Sequence, residues 1–227
     1  MTNLIVLDFD GTISPISTNP LNVKVSKKME KSIIELSKAN NLMILTGRDS
    51  NFVKRFFDSK KIHIVGNYGN KSSLKNKESL LFKKTIQKKI RLFDGVTLEN
   101  KETSFAIHYR KLKTNKSEFY NWLDSIELCH KNKFKILKGK KVIEFLSKQS
   151  ISKKDFLEKY LSKHKFSKVV YVGDDLSDIL VINFFKNKKW FTGFLVKSKE
   201  INSNLLTGIK CIARNEILSN INLVLTS

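Results

Sequence analysis

A short apolar segment that ends in two carboxylates is the feature that most constrains the fold of this chain. Residues 4–7 read Leu-Ile-Val-Leu, and Asp-Phe-Asp-Gly-Thr follows at 8–12. A continuous run of branched apolar residues is typical of a parallel strand buried on both faces, and ligands of such sheets bind beyond the carboxyl ends of the strands. The segment therefore predicts an α/β fold with Asp8 and Asp10 at the ligand-binding edge of the sheet.

Two carboxylates at that edge indicate a cation and a reaction. Carboxylate oxygens are ligands of hard divalent ions, and Mg²⁺ is the ion expected here. An aspartate can attack phosphorus to form an aspartyl-phosphate, and a second carboxylate can protonate the leaving alcohol and later deprotonate water. The alternative is a solvated turn that carries two acids, and the short motif alone does not decide between the two.

Helical and strand patterns alternate on both sides of a different central segment. Strands are predicted at 42–45, 62–65 and 169–172, and a short helix at 49–57. This alternation is typical of a parallel sheet with helical crossovers. The segment 71–147 instead mixes lysine-rich amphipathic helices with alternating strands. We therefore predict a catalytic core at 1–70 and 148–227 with an inserted α+β lid domain at 71–147.

The 227-residue chain carries 43 Lys and Arg against 21 Asp and Glu, a net charge of +22. A lysine-rich compositional habit is the favoured explanation, ahead of attraction of an anionic ligand. Nucleic-acid binding is not favoured, because the basic residues are spread along the chain without a basic tail.

The expected location is the cytoplasm. No apolar run approaches the ~20 residues of a membrane span, and the N-terminus lacks a signal-peptide pattern. Cys129 and Cys211 are expected to be buried, with no disulfide and no zinc site.

Polar side chains recur where the predicted strands end. Asp8 and Asp10 follow the first strand, Thr46 the second, and an Asp-Asp pair the strand at 169–172, while Lys153 begins a helix with Ser152 as a possible N-cap. The carboxyl ends of parallel strands meet at one edge, so these groups can share a metal. A lysine there can neutralise both an attacking carboxylate and a phosphoryl oxygen, as phosphoryl transfer requires.

In this order the motifs resemble the four signatures of the haloacid dehalogenase (HAD) superfamily of phosphotransferases. The matches are Asp8–Thr12, Thr46, Lys153 and Gly173-Asp174-Asp175. The resemblance implies a doubly wound, Rossmann-like parallel-sheet core with an inserted C2-type cap.

The same resemblance implies roles for individual residues. Asp8 would be the nucleophile and Asp10 the general acid and base, while Thr46 and Lys153 would hold the phosphoryl group. Mg²⁺ would bind Asp8, the backbone carbonyl of Asp10, and Asp174. Asp175 and Asp178 would support the metal site indirectly, by contacting its direct ligands or through bound water.

A narrower likeness is to trehalose-6-phosphate phosphatases, which share patterns at 45–48, 104–110, 139–144, 171–178 and 212–214. It implies substrate binding by Gly47 and Arg48, and sugar recognition by lid residues Lys140 and Glu144. A lid lysine and glutamate can hydrogen-bond hydroxyls that an apolar pocket could not select.

Some residues depart from that family's patterns. Leu146 and Ser147 replace an arginine and a proline, Ile179 replaces a glutamate, and Lys154 replaces a glycine. These changes leave the catalytic residues intact and put the identity of the sugar in question.

We therefore predict a monomeric, Mg²⁺-dependent phosphatase of sugar phosphates, with trehalose 6-phosphate the first candidate. Glucosyl- or mannosyl-3-phosphoglycerate and sucrose phosphate are alternative substrates, because a fold alone does not choose the substrate. A nucleic-acid-binding protein on a retired HAD fold, a phosphomutase and a pseudoenzyme are less favoured functions for the same chain.

Overall fold

The computed structural model describes residues 2–17, 22–57, 59–70, 77–100, 104–113, 115–139, 141–148, 150–197, 201 and 203–227. It forms two compact units, one made of Met1–Gly69 with Ile151–Ser227 and the other of Asn70–Ser150. The assignment of the second unit as a lid stays a prediction.

The strands are β1 (Leu4–Leu7), β2 (Asn41–Leu45), β3 (Ile62–Val65), β4 (Thr97–Asn100), β5 (Ser104–His108), β6 (Phe134–Gly139), β7 (Val142–Ser147), β8 (Val169–Gly173), β9 (Phe191–Val196) and β10 (Lys210–Ile212). The α-helices are α1 (Lys27–Ala39), α2 (Ser50–Lys54), α3 (Lys77–Lys89), α4 (Lys116–His130), α5 (Lys153–Lys163), α6 (Leu176–Phe185) and α7 (Ile217–Thr226).

The first unit is built on a six-stranded sheet with the order β10-β9-β8-β1-β2-β3. Every pairing in it is parallel, and Leu7 of β1 lies opposite Ile44 of β2 and Val172 of β8. Strands β2 and β3 lie in succession on one side of β1, and strands β8, β9 and β10 lie in succession on its other side. This reversal makes the carboxyl end of β1 the point where such sheets bind ligands.

Apolar side chains cover both faces of this sheet, as a parallel sheet requires. On one face Ile5 and Leu7 pack with residues of α1, α2 and α7, including Ile33 and Ile221. On the other face Leu4, Val6 and their neighbours pack with residues of α5 and α6. Helices on both faces confirm the predicted doubly wound core.

The second unit is a four-stranded antiparallel sheet with the order β4-β5-β7-β6. Its core contains side chains of α3 and α4 together with Phe105, Ile107 and Phe145 of the sheet. Phe105 and Phe145 are direct cross-strand partners with stacked rings 5.2 Å apart. This α+β arrangement confirms the predicted fold class of the insertion.

Two local predictions differ from the structure. The helix predicted at 49–57 is shorter, because Asp49 is its N-cap and α2 ends at Lys54. Phe56 then leaves the helix to pack on Phe9, with ring centroids 5.5 Å apart. The prediction that both cysteines are buried is wrong, because Cys129 is exposed and Cys211 is partly exposed.

In the described parts of the chain no helix is both long and apolar enough to cross a bilayer.

Candidate active site

Three adjacent strands place the predicted polar side chains at one edge of the sheet. Asp8 directly follows β1, Thr46 follows β2 and Asp174 follows β8, and β1 lies between the other two strands. All three side chains are buried, with at most 7% of each residue exposed. The backbone N–H of Asp8 donates to the carbonyl of Val172 at 2.8 Å, which extends the pairing of β1 and β8 to the first catalytic candidate.

The turn after Asp10 passes directly beside Asp174. Gly11 has a φ of +77°, and a Cβ at this position would lie 1.9 Å from Oδ2 of Asp174. A side chain is therefore excluded by both backbone conformation and space. Glycine here allows the carboxylates that follow β1 and β8 to approach each other.

Lys153 is buried among these carboxylates. It is the first residue of α5, and Ser152 caps this helix in a capping box with Asp155, as expected of the possible cap. The Nζ atom donates to Oδ1 of Asp8 at 2.8 Å and to Oδ1 of Asp178 at 2.7 Å. Burial opposes the charge of Lys153, but the two carboxylates outweigh it and raise its pKa well above the usual value. The lysine therefore enters the site as an ammonium ion.

Asp178 organises the cluster. Its Oδ1 accepts hydrogen bonds from Lys153 and from the hydroxyl of Tyr171 at 2.5 Å, and its Oδ2 accepts from the backbone N–H groups of Asp174 and Asp175 at 2.9 and 3.0 Å. A carboxylate has about four acceptor positions, so these four donors occupy its capacity. Asp178 therefore holds the other groups in place rather than offering a free ligand oxygen.

The donor set fits a divalent cation. Asp8, Asp174 and Asp178 each have a carboxylate oxygen within 4.8 Å of the others, and oxygen ligands of this kind suit Mg²⁺. Burial raises the pKa of Asp8 more than Lys153 lowers it, and burial with neighbouring carboxylates raises the pKa of Asp174 to about 7. The Lys153 ammonium alone does not balance the clustered acids, and Asp8 with Asp174 are the residues that would hold a cation.

Asp10 lies next to the cluster and is paired with Arg48. The guanidinium donates from Nε to Oδ2 at 2.6 Å and from an Nη atom to Oδ1 at 2.8 Å. Such a two-bond fork fixes the plane of the carboxylate as well as its position. The guanidinium also lies 4.5 Å from the ring centroid of Phe52. Arg48, predicted to bind substrate, thus has Asp10 as a partner in this structure.

The turn after β2 presents Thr46 and Gly47. Oγ1 of Thr46 accepts a hydrogen bond from the backbone N–H of Arg48 at 3.1 Å, which turns the backbone tightly around the hydroxyl. A hydroxyl with backbone N–H groups at a strand end is a suitable site for phosphoryl oxygens.

Asp175 has partners different from those of the metal-binding candidates. It is the N-cap of α6, and its Oδ1 accepts from the hydroxyl of Ser177 at 2.6 Å and from the backbone N–H of Asp178 at 3.0 Å. Burial opposes its ionisation, but Lys153 and these hydrogen bonds lower its pKa to about 2. Direct metal binding by Asp175 stays a prediction.

The predicted sugar-recognition residues belong to the second unit. Glu144 is on β7, is half-buried and accepts a hydrogen bond from the hydroxyl of Ser104 on β5. Lys140 lies outside the described residues.

Tyr171 also belongs to this site, although the sequence patterns implied no role for its side chain. It is fully buried on β8, and in an apolar strand its ring resembles any core side chain. The signal that could have found it is a tyrosine seven residues before a helical aspartate, because a buried hydroxyl needs a partner.

Comparisons with known proteins agree with this geometry. The trehalose-phosphatase family model matches residues 6–205. A probable trehalose-phosphate phosphatase D of Arabidopsis thaliana is 26% identical over 84% of this chain and 58% of its own length. A probable trehalose-phosphate phosphatase 4 of Oryza sativa is 25% identical over 84% of this chain and 57% of its own length. The chain thus spans less than two thirds of these curated relatives.

Solved structures share the fold. A trehalose-6-phosphate phosphatase related protein superposes with a TM-score of 0.76 at 18% identity and covers 98% of both chains. The C-terminal domain of a C. albicans trehalose-6-phosphate phosphatase gives a TM-score of 0.74 at 19% identity, covering 98% of this chain and 91% of its own. A haloacid dehalogenase-like hydrolase from Bacteroides thetaiotaomicron gives 0.65 at 13% identity, covering 99% of this chain and 100% of its own. The HAD-like fold is therefore confirmed.

The family model extends from within the first strand past β9, a span that contains the whole second unit, most of the first unit and every predicted catalytic residue. The chain therefore belongs to the trehalose-phosphatase family.

Proposed function

We propose that the chain is an Mg²⁺-dependent phosphatase that hydrolyses a sugar phosphate, with trehalose 6-phosphate the first candidate. The observation that carries the proposal is the contact of Lys153 with Asp8 at 2.8 Å inside a cluster of carboxylates within 4.8 Å of one another. A buried nucleophile beside a fixed cation is the arrangement that phosphoryl transfer needs. Membership of the trehalose-phosphatase family supports the same reaction.

The proposed reaction has two steps. In the first, Asp8 attacks phosphorus, the bond from phosphorus to the sugar oxygen breaks, and Asp10 gives that oxygen a proton. In the second, Asp10 takes a proton from water as the water oxygen attacks phosphorus, and the bond to Asp8 breaks. Mg²⁺ held by Asp8 and Asp174 would supply positive charge for the phosphoryl oxygens.

Three other groups would assist these steps. Lys153 keeps Asp8 oriented and contributes a positive charge next to the phosphoryl site, while Thr46 offers a hydroxyl. Arg48 binds the charged form of Asp10 through both oxygens. A protonated carboxyl group is neutral and its O–H oxygen accepts more weakly, so the two-bond fork to Arg48 should weaken when Asp10 carries a proton.

A phosphatase for another sugar phosphate is the second candidate. The departures at Leu146, Ser147 and Ile179 from the pattern of trehalose-6-phosphate phosphatases favour this alternative. We infer that Lys140 and Glu144 contact the sugar in either case. The monomeric state, the cytoplasmic location and the absence of a nucleic-acid partner stay predictions.

The test is phosphate release from a panel of sugar phosphates by the purified chain, with Mg²⁺ and with a chelator. We expect release from trehalose 6-phosphate at a kcat/KM at least about tenfold above that for sucrose 6-phosphate or glucosyl-3-phosphoglycerate, and none with the chelator. If another sugar phosphate is preferred, the proposed reaction stands and the proposed substrate is replaced by that sugar phosphate. Phosphate release that does not need a divalent cation would overturn the proposal.

A further inference from the structure

A run of left-handed backbone lies beside the phosphoryl-binding candidates. Asn67, Tyr68 and Gly69 follow β3 with φ angles of 51°, 54° and 79°. Glycine adopts this conformation without steric cost and asparagine tolerates it, whereas a bulky residue such as tyrosine rarely does. Unfavourable conformations of this kind cluster at functional sites, where surrounding contacts enforce them. We call these residues the 67–69 turn.

The 67–69 turn is hydrogen-bonded to the turn that carries Thr46. The N–H of Asn67 donates to the carbonyl of Arg48 at 2.8 Å, and the N–H of Tyr68 donates to the carbonyl of Thr46 at 2.9 Å. Two successive N–H groups of the 67–69 turn therefore bind carbonyls of one neighbouring turn. The backbone of residues 46–48 is thus fixed from the side of β3.

The side chain of Tyr68 lies close to both Gly47, the residue after Thr46, and Lys153. A Cβ added at Gly47 would lie 2.5 Å from the phenol oxygen of Tyr68, so the ring lies directly against the residue after Thr46. The centroid of the same ring is 5.7 Å from Nζ of Lys153, within the range of a cation–π interaction. One aromatic ring therefore lies against Gly47 and faces the Lys153 ammonium.

We infer that Tyr68 is a positioning residue, which sets the spacing between the Thr46 turn and Lys153. The inference rests on the proposed function, in which these two groups bind the transferring phosphoryl group. A shift of about 1 Å in such a group can lower turnover by about 100-fold, because transition-state charge is stabilised only by donors already in place. The chain keeps a bulky residue in a left-handed turn because the ring has this role.

Two substitutions at Tyr68 test the contribution of the aromatic ring separately from that of the left-handed backbone conformation. Tyr68→Asn keeps a residue that tolerates the left-handed conformation and removes the ring, whereas Tyr68→Phe keeps the ring and removes the hydroxyl. Tyr160→Ala, which removes another half-buried tyrosine ring two turns along α5, is the control for lost packing. The probes are orthovanadate, which mimics the five-coordinate transition state, and inorganic phosphate, which mimics the product, each with Mg²⁺ present.

For Tyr68→Asn we expect kcat to fall about tenfold and the inhibition constant of vanadate to rise about tenfold, with that of phosphate changed less than about twofold. Tyr68→Phe and Tyr160→Ala should match the wild type. A smaller folded fraction cannot produce this result, because it does not alter an inhibition constant.

Three results for the Tyr68 variants would contradict the inference. Wild-type vanadate inhibition in Tyr68→Asn, equal weakening of both inhibitors, or an equal loss in Tyr68→Phe would overturn the role of the ring. If the wild-type protein itself neither releases phosphate nor binds vanadate with Mg²⁺, the proposed function fails, and the inference fails with it.

Discussion

At the scale of single residues, Asp174 shows most clearly why this cluster of acids favours a cation. Burial, Asp178 and Asp175 raise its pKa to about 7 from an ordinary value of 3.8. Between these two values the folded protein binds a proton that the unfolded chain does not. This stabilising contribution is complete below about pH 4 and is lost as the pH rises through about 7.

This linkage predicts how Mg²⁺ stabilises the protein. A cation binds the carboxylate rather than the acid, so the rise in melting temperature on adding Mg²⁺ should be larger at about pH 8 than at about pH 5.5. Thermal unfolding with Mg²⁺ and with a chelator at both pH values measures the effect. Asp174→Asn is the control, in which the Mg²⁺-induced shift should be reduced several-fold. A shift independent of pH would contradict the assignment.

The residues of the site divide into those that a local pattern reveals and those that it does not. Asp8, Thr46 and Asp174 were predictable because each directly follows an apolar run, and the carboxyl ends of parallel strands meet. The fork between Arg48 and Asp10 was not, because two bonds between distant residues depend on exact side-chain orientation. For the same reason nothing in the spacing showed that Asp178 would accept four hydrogen bonds.

At the scale of elements, helix α5 fixes the position of Lys153, the proposed catalytic lysine. Ser152 accepts a hydrogen bond from the N–H of Asp155 at 3.2 Å, and Lys153 is the first helical residue. Helix α1 has the same kind of cap, in which Ser26 accepts from the N–H of Met29 at 3.2 Å. The serine hydroxyl makes the same bond in both caps, but the Ser152 cap also includes the return bond to Asp155, and of these two caps it is the one that adjoins the site.

This contrast gives a matched pair of variants. Ser152→Ala and Ser26→Ala should each lower the free energy of unfolding by about 1 kcal/mol, as measured by urea titration. Only Ser152→Ala should also lower kcat, by roughly threefold or more, since a shifted start of α5 displaces Lys153. Equal kcat values in the two variants would show that the cap does not position the lysine.

Elements were more predictable than their ends. The strand at 62–65 agrees with β3 because two lysines precede this largely β-branched segment and Gly66-Asn67 follow it. The helix predicted at 49–57 was too long, because phenylalanines at helical spacing can also pack on a core from an irregular segment. Tertiary contacts with Phe9 decide that outcome.

At the scale of the whole molecule, the residues proposed for phosphoryl transfer and those predicted to recognise the sugar belong to different units. All described residues assigned to phosphoryl transfer belong to Met1–Gly69 or Ile151–Ser227, whereas Glu144 belongs to Asn70–Ser150. A division of this kind lets the substrate vary while the reaction is kept. It also explains why the sequence predicts the reaction more firmly than the sugar.

The division predicts a selective effect of Glu144→Ala. Loss of a carboxylate that binds sugar hydroxyls should raise KM for the preferred sugar phosphate by about tenfold or more, with little change for an aryl phosphate. Glu127→Ala, which removes a glutamate of α4 that pairs with Lys138 at 2.7 Å, is the control in the same unit. Equal effects on both substrates would mean that Glu144 does not recognise the sugar.

The central claim is that Asp8 forms the bond to phosphorus. It is measured most directly as the rate of phosphate release by Asp8→Asn, compared with the wild type at saturating Mg²⁺ and sugar phosphate. The substitution keeps the size of the side chain and an oxygen that can accept from Lys153, so the melting temperature should remain close to that of the wild type. We predict that kcat falls by about 1000-fold or more, whereas an unchanged rate in a folded variant would contradict the account.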